Sequence, residues 1–485
     1  MRRLLATLGA VVALLAAIVL VRATQFTPRR VSVAPAVPIE PLDGAVARLV
    51  EAIRIPTVSS ADSAQRSAAA FGAMHVHIAR SFPRVHAAMR REVIGRGALL
   101  YTWTGTDSTL PPIVLMGHID VVPVEPGTEA QWTQPPFSGA VADSNVWGRG
   151  ALDDKSTVLG VLEASEALLA NGFAPRATVY LAFGADEEVG GAGGAAVIAQ
   201  TLRARGARPH FVVDEGGAVV SGVAPGVQAP VALVGIAEKG FISLELSVRG
   251  EGGHSSIPPK HTAAGVVARA VTRLEANRFP AEVRGAAAQQ LDAIGREMPF
   301  GRRAIFANRW LFDPVIKRQL ASSPETDALL RTTTAVTMLE GSPKDNVLPS
   351  RARAVVNFRI LPGDDIAGVI EHVRRVVDDP RVEIRRLGWA TEPSPISSTN
   401  NDAWALVERS ILQVYSDAVV VPYLVLAGTD SRYFRDLTPN VYRFAGFRLG
   451  ASDLSRVHGT NERISIASYL EGIRFLAQLL RNAAG

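Results

Sequence analysis

Acidic residues and histidines recur in this 485-residue chain at points where they could do chemistry. The stretch VYLAFGADEEVGGAGG places Asp186, Glu187 and Glu188 directly after an apolar run that predicts a buried strand, and glycines follow at once. Adjacent carboxylates repel one another unless cations lie between them, because a bound dication becomes the largest local charge. The cluster therefore indicates either a metal site or an ordinary solvated loop.

Four further segments carry histidine or carboxylate at comparable positions. They are GHID with His118 and Asp120, GALDDK with Asp153 and Asp154, VVDEGG with Asp214 and Glu215, and RVHGTNERIS with His458. Each segment alone has a structural explanation, such as a turn or a helix N-cap. Together they would deliver ligands from five strand ends or loops to one edge, which favours two zinc-like dications about 3.5–4 Å apart. The chain has no cysteine, so histidine, aspartate and glutamate are the available ligands.

The elements that must position these residues alternate between helices and apolar strands. IVLMGHIDVVPV, ATVYLAFGADEE and PHFVVDEGG have buried-strand patterns, whereas GAVARLVEAIRIPTVS and STVLGVLEASEALLANG are helical. This alternation predicts an α/β fold with a doubly wound, mainly parallel sheet. In such sheets functional groups gather beyond the carboxyl ends of the strands, where the acidic segments are expected.

The pattern changes near Glu238, where GFISLELSVRGEGG alternates apolar and polar residues like a strand with one solvated face. A helical stretch and the strand patterns TTTAVTMLEG, RARAVVNFRIL and RVEIRRL follow, so we predict an inserted α+β lid or dimerisation domain. The predicted organisation is an N-terminal targeting segment (1–25), a Pro-rich linker (26–42), the catalytic domain in two parts (43–237 and 389–485) and the insertion between them (238–388).

The first 25 residues predict a membrane-targeting segment. A basic MRR precedes residues 4–21, which are apolar apart from Thr7. A spanning helix needs about 17–25 residues and a signal-peptide core about 7–15, and no clear small-x-small cleavage site follows. We therefore expect a signal-anchor that holds an exported catalytic domain at the periplasmic or extracellular face of a membrane. The alternative is a cleaved signal peptide and a secreted protein.

Nucleic-acid binding is not expected from the charge pattern. The net charge of +5 comes from arginines that are scattered along the chain. The sequence has no block of five like charges and no basic stripe interleaved with aromatic residues. The partners that we expect are therefore a small-molecule substrate and a membrane.

Six motifs, in order and at plausible spacings, resemble the co-catalytic zinc metallopeptidase family of aminoacylase-1, carboxypeptidase S, carnosinase and succinyl-diaminopimelate desuccinylase. They are GHIDVVPV, WGRGALDDK, ADEEVGG, VVDEGG, GEGGHSS and GTDSR. The likeness runs from about residue 43 to 482. It is greatest to the branch that contains carboxypeptidase S and the secreted N-acyl-amino-acid hydrolases.

The resemblance implies a role for each matching residue. It implies two zinc ions, with Co²⁺ or Mn²⁺ as substitutes, and it makes Glu187 the general base. Asp120 would orient the ring of His118, and a cis peptide bond would join Asp153 to Asp154. The implied metal ligands are His118, His458, Glu188, a bridging Asp153, and either Asp214 or Glu215. The aminoacylase-1 pattern favours Glu215 and the carnosinase-like pattern favours Asp214.

The insertion resembles the dimerisation lid of this family, which implies a homodimer. His254 in GEGGHSS would reach the active site of a neighbouring subunit and polarise the scissile carbonyl. Asn346 and Arg359 would hold the free carboxylate of the substrate, and Gly428 and Thr429 would line its binding loop. Without the resemblance, an ordinary loop explains His254 and a strand-edge ion pair explains Arg359 equally well.

We predict hydrolysis of an amide bond to an amino acid with a free carboxylate, most simply an N-acyl amino acid. Water acidified between the two metal ions would be the nucleophile, with Glu187 taking its proton and passing it to the leaving nitrogen. The alternative is a carboxypeptidase or dipeptidase that acts on short peptides. A remote alternative is an inactive, membrane-tethered binding protein, which the presence of the base and the ligands disfavours.

The stretch MPFGRRAIFANRWLFDPVI, residues 298–316, contributes apolar residues to the predicted insertion. It fits either a channel for a fatty acyl chain or a helical core or dimer surface, and the second interpretation is favoured.

Overall fold

The computed structural model describes residues 1–60, 62, 65–222 and 225–485. The strands in these residues form a ten-stranded and a four-stranded sheet, with a two-stranded and a three-stranded sheet beside them. The strands are β1 (Arg90–Ile94), β2 (Ala98–Trp103), β3 (Ile113–His118), β4 (Val141–Ala142), β5 (Asn145–Trp147), β6 (Val179–Gly184), β7 (Phe211–Asp214), β8 (Val219–Val220), β9 (Val231–Glu238), β10 (Gly240–Arg249), β11 (Gly253–His254), β12 (Thr333–Glu340), β13 (Val347–Leu348), β14 (Arg351–Ile360), β15 (Glu383–Thr391), β16 (Val419–Val425), β17 (Val441–Arg443), β18 (Arg448–Leu449) and β19 (Arg463–Ser465).

Helices cover both faces of the large sheet and one face of the four-stranded sheet. The α-helices are α1 (Arg2–Gln25), α2 (Ala45–Ile53), α3 (Ala68–Ser81), α4 (Pro83–Ala88), α5 (Lys155–Ala170), α6 (Ala195–Ala204), α7 (Ala263–Ala276), α8 (Gly285–Glu297), α9 (Phe300–Ala307), α10 (Arg309–Leu320), α11 (Pro324–Asp327), α12 (Ile366–Val377), α13 (Asp402–Val414), α14 (Ala451–Leu454) and α15 (Ile466–Ala484). Short 3-10 helices cover Glu129–Gln131, Glu187–Val189 and Asp430–Phe434.

The large sheet is parallel at its centre, antiparallel at its β1 edge and mixed toward β18, where β16 runs parallel to β9 and β18 runs parallel to β8. β3 runs parallel to β6 and β7, and β17 runs parallel to β7, so the predicted α/β arrangement with a parallel centre is confirmed. The β1–β2–β6 edge is antiparallel, and β9 runs antiparallel to β17 and β8. The sheet is therefore mixed. At the β1 edge the reason is local, because a three-residue turn with positive φ at Gly95 and Gly97 can join only antiparallel strands.

The central strands bring their carboxyl ends to one edge of the sheet. β3, β6 and β7 are mutually parallel and end at His118, Gly184 and Asp214. Helix α5 packs against β3, and α15 packs against α5, so α5 lies between two layers and is buried along almost its whole length. Rigid, buried elements thus carry the segments that the sequence marks as functional.

The four-stranded sheet has the order β12-β14-β10-β15 and is antiparallel throughout. Helices α7 and α12 pack on one face and enclose a separate apolar core. β10 follows β9 after the single residue Lys239, which directly connects the two large sheets. This α+β unit lies where the insertion is predicted, and β15 continues to Thr391. The domain boundaries themselves stay predictions.

Helix α1 is long and apolar enough to cross a membrane. The mean hydropathy of its most apolar 18-residue window is 2.9, and none of that window is buried in the fold. Length and composition alone do not distinguish an anchor from a signal sequence. Membrane anchoring therefore stays a prediction.

Candidate active site

Asp153 lies between two histidines that are 340 positions apart in the chain, His118 and His458. Its Oδ1 is 2.9 Å from His118 Nε2, and its Oδ2 is 3.0 Å from His458 Nε2. His458 Nε2 is also 3.1 Å from Glu188 Oε2, and His118 Nε2 is 3.6 Å from Glu215 Oε1. Five side chains from five separate strand ends or loops thus converge, as the sequence predicts.

The two candidate ligands in VVDEGG have different surroundings. Asp214, the last residue of β7, accepts the backbone N–H of Ser431 at 2.8 Å through its Oδ2. The Glu215 carboxylate instead faces His118 and lines the adjoining cavity. The geometry therefore favours Glu215 for a place among the ligands, with Asp214 holding the loop that contains Ser431.

Asp120 connects His118 to the turn that carries both glutamates. The Nδ1 atom of His118 is 3.0 Å from the Asp120 carbonyl oxygen and 3.4 Å from its Oδ1. The Asp120 carboxylate accepts the backbone N–H groups of Glu187 and Glu188, each at 3.2 Å, and the hydroxyl of Ser59. This buried aspartate fixes the ring of His118 and the Glu187–Glu188 turn with one carboxylate.

Glycines allow the turn after β6 to fold back on itself. The 3-10 turn Glu187–Val189 is followed by Gly190 with φ 103° and Gly191 with φ 69°. A Cβ atom on Gly191 would lie 2.0 Å from Asp430 Oδ1. Side chains larger than hydrogen would therefore force this turn away from the carboxylate cluster.

Glu462 holds the loop that delivers Asp153. Its Oε1 accepts the backbone N–H groups of Gly150, Leu152 and Asp153 at 2.9, 2.8 and 3.2 Å, and Arg149 pairs with its Oε2 at 2.6 Å. The peptide bond between Asp153 and Asp154 is cis, as the resemblance implies. The sequence interpretation missed Glu462, although it lies four positions after His458 in the same quoted motif.

Burial and crowding raise the pKa values of several carboxyl groups in the cluster. Burial raises the pKa of Glu187 to about 8, with a contribution from the neighbouring Glu188. Burial, together with Asp153, also raises the pKa of Glu215 well above its usual range. Burial acts in the same direction on Asp153, but hydrogen bonds from His118 and His458 outweigh it and lower the pKa of that carboxyl. A positive charge placed beside Glu187 and Glu215 would therefore favour their ionised forms.

The donor set fits divalent cations. Among the described side chains, His118, Asp153 and Glu188 place ligand atoms within 4.8 Å of one another, and so do His118, Asp154 and Glu215. Glu188 Oε1 and Asp154 Oδ1 are buried without a hydrogen-bond partner. Leaving a carboxylate oxygen buried and unpaired costs several kcal/mol, a cost that a coordinated cation removes. Imidazole and carboxylate suit zinc and related ions.

A cavity of about 430 Å³ adjoins the cluster. Asp153, Glu187, Glu188, Glu215 and His458 line part of it. The other side chains in its wall are mainly apolar, and they include Leu152, Val220, Leu233, Tyr423, Val425, Leu426, Phe447, Leu449, Leu454 and Val457. The volume lies within the range of small-molecule sites. An apolar chain attached to a group held at the cluster would find a matching surface here.

Gly428 and Thr429 line the same cavity, but Thr429 is already hydrogen-bonded. Its N–H and hydroxyl donate to Glu238 Oε2 at 2.9 and 3.1 Å. In this segment Arg432 faces the cluster, with its Nη2 2.7 Å from Glu187 Oε1 and its Nε donating to the Thr429 carbonyl. The motif GTDSR was recognised in the sequence, but no role was predicted for its arginine, Arg432. The position of Arg432 in a matching motif was the signal that could have identified it.

Arg359 lies close to the same region on β14. Its guanidinium stacks over the ring of Phe241 at 4.9 Å. Burial, and then the nearby Arg432 guanidinium, lower the pKa of Arg359, while the Glu187 carboxylate acts in the opposite direction. Two guanidinium groups thus lie near the predicted base, an arrangement suited to an anionic substrate group.

His254 and Asn346 lie together at an exposed tip of the insertion. His254 in β11 pairs with Val347 in β13, and the backbone N–H of Ser255 donates to the Asn346 carbonyl at 3.1 Å. The His254 ring makes its hydrogen bond with Ser256 Oγ at 2.8 Å. Within the described part of the single chain, these contacts do not reach the carboxylate cluster. A role for His254 in a neighbouring subunit stays a prediction.

Fold and site together define a metal-dependent hydrolase. Residues 114–482 match peptidase family M20/M25/M40, and the chain belongs to this family. The resemblance seen in the motifs is therefore confirmed, and the protein is an M20 metallohydrolase.

Relatives named as carboxypeptidases and relatives named as N-fatty-acyl-amino acid synthase/hydrolases are both similar to this chain over most of its length. "Probable carboxypeptidase S-like 2" of Dictyostelium discoideum is 42% identical, over 90% of this chain and 84% of that protein. Human "N-fatty-acyl-amino acid synthase/hydrolase PM20D1" is 38% identical, over 89% of this chain and 86% of that protein. "Carboxypeptidase S" of Saccharomyces cerevisiae is 31% identical, over 91% of this chain and 84% of that protein.

Solved structures share the fold at lower sequence identity. The M20 family metallo-carboxypeptidase Sso-CP2 from Sulfolobus solfataricus superposes with a TM-score of 0.66 at 19% identity, covering 91% of this chain and 99% of that chain. Human carnosine dipeptidase 1 gives a TM-score of 0.65 at 16% identity, with 91% and 96% covered. These likenesses establish the α/β fold of the family.

Proposed function

We propose that this protein hydrolyses N-acyl amino acids to a carboxylic acid and an amino acid. The observation that carries the proposal is the mainly apolar wall of the cavity beside the carboxylate cluster. An aliphatic acyl chain gains from burial there, whereas the amides of a peptide would lose hydrogen bonds with water. The relatives named N-fatty-acyl-amino acid synthase/hydrolase support the same substrate class.

Two divalent cations, most simply zinc with Co²⁺ or Mn²⁺ as substitutes, complete the proposed site. His118 and Glu215 would hold one cation, and His458 and Glu188 the other. Asp153 would bridge them, since its two oxygens face the two histidines. When bound, such cations polarise the amide carbonyl and lower the pKa of water.

Glu187 is the proposed general base and acid. It takes the proton of the attacking water and delivers it to the leaving nitrogen as the amide bond breaks. Its pKa of about 8, caused first by burial, lies near neutrality, so the side chain can both accept and release a proton. Asp120 positions it by accepting its backbone N–H.

Arginines are proposed to hold the carboxylate of the substrate. Arg432 and Arg359 offer planar donor forks near Glu187, and a substrate carboxylate would share the guanidinium that Glu187 contacts now. Gly428 lies beside this guanidinium, where an added Cβ would meet Arg432 Nη1 at 3.4 Å, an ordinary van der Waals distance. Gly428 and Thr429 are proposed to line the same binding loop. Asn346, at the tip of the insertion, is proposed to reach the substrate carboxylate in a neighbouring subunit.

A carboxypeptidase or dipeptidase acting on short peptides is the second candidate. It is favoured by the same arginines, because a peptide also ends in a free carboxylate, and by relatives named carboxypeptidase S. An inactive binding protein is disfavoured, since the proposed base and all five convergent ligands are in place.

A homodimer anchored in a membrane is the proposed assembly. The exposed position of His254 supports a role in which His254 of the partner subunit completes the active site. Helix α1 would hold the catalytic body at the exported face of the membrane. A cleaved, secreted form is the alternative.

The test compares substrates that share one leaving amino acid. The full-length chain, in detergent and loaded with zinc, is given N-acetyl and N-oleoyl amino acids and a dipeptide. We expect the highest kcat/KM for the N-oleoyl substrate. Leu454→Glu, at a cavity position 54% exposed to solvent, should lower kcat/KM for that substrate about tenfold and leave the N-acetyl substrate unchanged.

Val76→Glu is the matched control, because Val76 is 65% exposed on α3 and lies outside the cavity wall. It should leave all three activities unchanged. Preference for the dipeptide, insensitive to Leu454→Glu, would favour the second candidate. No turnover of any substrate with metal verified in the protein would contradict both.

A further inference from the structure

The apolar helix α1 is attached to the folded body only near its carboxyl end. Arg22 Nε donates to the Ala307 carbonyl at 3.2 Å, and Asn308 Nδ2 donates to the Val19 carbonyl at 3.0 Å. Ala23 is buried, whereas residues 1–18 are exposed. The helix thus projects from the junction of α9 and α10.

The linker after α1 is held to the same region of the body. Arg296 stacks over Phe26 at 4.3 Å and donates to the Thr27 carbonyl at 3.2 Å. Arg30 forms a two-pronged ion pair with Glu297 at 2.7 and 2.8 Å. These contacts fix the exit of α1 relative to α8 and α9, so the body cannot swing freely about it.

Asn308 links α1 to Trp310. Asn308 is fully buried, and its Oδ1 accepts the indole N–H of Trp310 at 3.3 Å. The indole is therefore two hydrogen bonds from the Val19 carbonyl. If residues 4–21 span a bilayer, Val19 lies about one helical turn inside Arg22, at about 1.5 Å per residue. Trp310 then lies at the level of the headgroups.

One face of α10 exposes apolar side chains at this level. Trp310 is 55%, Leu311 42% and Val315 61% exposed, while Ile316 on the other side is 4% exposed. The exposed positions are spaced i, i+1, i+4, i+5, i+8 and i+9, which is one helix face. They are Trp310, Leu311, Pro314, Val315, Arg318 and Gln319. Tryptophan and arginine are typical of side chains at a membrane interface.

We propose that this interfacial face (Trp310, Leu311, Pro314 and Val315) inserts into the headgroup region of the membrane that α1 spans. The inference rests on the proposed anchoring by α1 and goes beyond it, since an anchor alone would leave the body above the surface. Insertion to about 5–10 Å is typical of such helices. The catalytic body then rests on the bilayer. The α9–α10 stretch, absent from the cavity wall, is explained as a membrane contact.

Because the chain has no cysteine, a single introduced cysteine can be labelled specifically. The depth of that label in a membrane can then be measured directly. Three full-length variants, Val315→Cys, Val12→Cys at the middle of the span and Val93→Cys, each carry one environment-sensitive fluorophore. They are reconstituted in vesicles of phosphatidylcholine and phosphatidylglycerol that contain lipids with a nitroxide near the headgroup or deep in the chain. Val93 is the matched control, because it is 56% exposed and lies on the edge strand β1.

The expected result is about a twofold loss of fluorescence at position 315 with the shallow nitroxide, and none at position 93. The label at position 12 should respond to the deep nitroxide. Quenching at 12 without quenching at 315 would overturn the interfacial face while supporting the anchor. No quenching at 12 would instead overturn the anchoring on which the inference rests. A label at 315 that is protected only as protein concentration rises would assign the face to a second copy.

Discussion

Two acidic clusters in this chain are built in opposite ways. On the four-stranded sheet, Glu245 is covered by Arg351, Arg353 and Arg385 at 2.7, 3.0 and 3.0 Å. Burial opposes its ionisation, but these arginines outweigh burial and lower the pKa of the Glu245 carboxyl. The carboxylates around Asp153 keep raised pKa values and unpaired oxygens instead.

The difference separates a structural cluster from a functional one. Where the protein supplies its own cations, the carboxylate is satisfied and needs nothing from solution. Where negative charge is left over in a buried site, a cation or a proton must come from outside. Substitutions on the two sides of this contrast should therefore differ in effect, with the largest losses among the carboxylates around Asp153.

Glu187→Gln should abolish most of the turnover. The substitution keeps the shape of the side chain but removes its ability to accept a proton, so kcat should fall about 10²- to 10⁴-fold. Steady-state kinetics with zinc content measured in the same samples tests this. Unchanged kcat at equal metal content would show that another group is the base.

Arg432→Gln should weaken binding of the substrate carboxylate. A lost charge-assisted pair corresponds to about a 10- to 100-fold rise in KM for an N-acyl amino acid. The corresponding N-acyl amino amide, which lacks the carboxylate, should be unaffected. Arg385→Gln, which removes an arginine from the Glu245 cluster, is the control and should change neither KM. Equal losses on both substrates would mean that Arg432 acts on Glu187 alone.

Lys239 is a buried basic side chain whose hydrogen-bond partners are neutral backbone carbonyls. Like the carboxylates around Asp153, its charge is not neutralised by a group of opposite charge. Its Nζ donates to the Ala328 and Arg331 carbonyls at 2.9 and 2.8 Å. Burial, with a contribution from Arg359, lowers its pKa from 10.5 to about 7. Between about pH 7 and pH 10.5, Lys239 therefore binds more protons in the unfolded protein than in the folded protein. Stability should therefore rise with pH across this window and be lost as pH falls toward 7.

Lys239→Met should remove this component of the pH dependence. The free energy of unfolding of the wild type, measured against that of the variant, should rise by at most about 1.4 kcal/mol per pH unit. Denaturant unfolding at about pH 7.5, 8.5 and 9.5 supplies the comparison. A difference that stays constant across these conditions would contradict the lowered pKa.

Glu245→Gln should have the smallest effect. The three arginines around it are partly exposed, so solvent screens the repulsion that remains, and a loss of about 1 kcal/mol in unfolding free energy is expected. Turnover should not change, because this cluster lies on the four-stranded sheet. A clear loss of kcat would show that the two clusters are coupled.

The identities of the site residues were predictable because each follows a strong local pattern. His118, Asp153, Glu188 and His458 lie at strand ends or in loops that apolar periodicity and glycines mark in the sequence. The carboxyl ends of neighbouring parallel strands must meet at one edge, so convergence followed from the fold class. The choice between Asp214 and Glu215 did not follow from the fold class. Adjacent residues point in different directions, so the exact end of the strand decides which side chain reaches the cluster.

Other features depended on contacts between distant segments. The apolar cavity wall joins side chains from positions 152 to 457, and no single stretch shows that they meet. The antiparallel β1 edge of the sheet, the pairing of Arg432 with Glu187 and the tether from Val19 through Asn308 to Trp310 are likewise properties of packing.

The sequence by itself determined the family, the α/β class, the candidate ligand residues and an apolar N-terminal helix, because motifs, composition and periodicity are local properties of the chain. Only the tertiary structure decided which carboxylates are neutralised by arginine and which are left with unpaired charge. That distinction depends on distances of a few ångströms between residues up to hundreds of positions apart, since electrostatic energy is set by separation and burial and not by order along the chain.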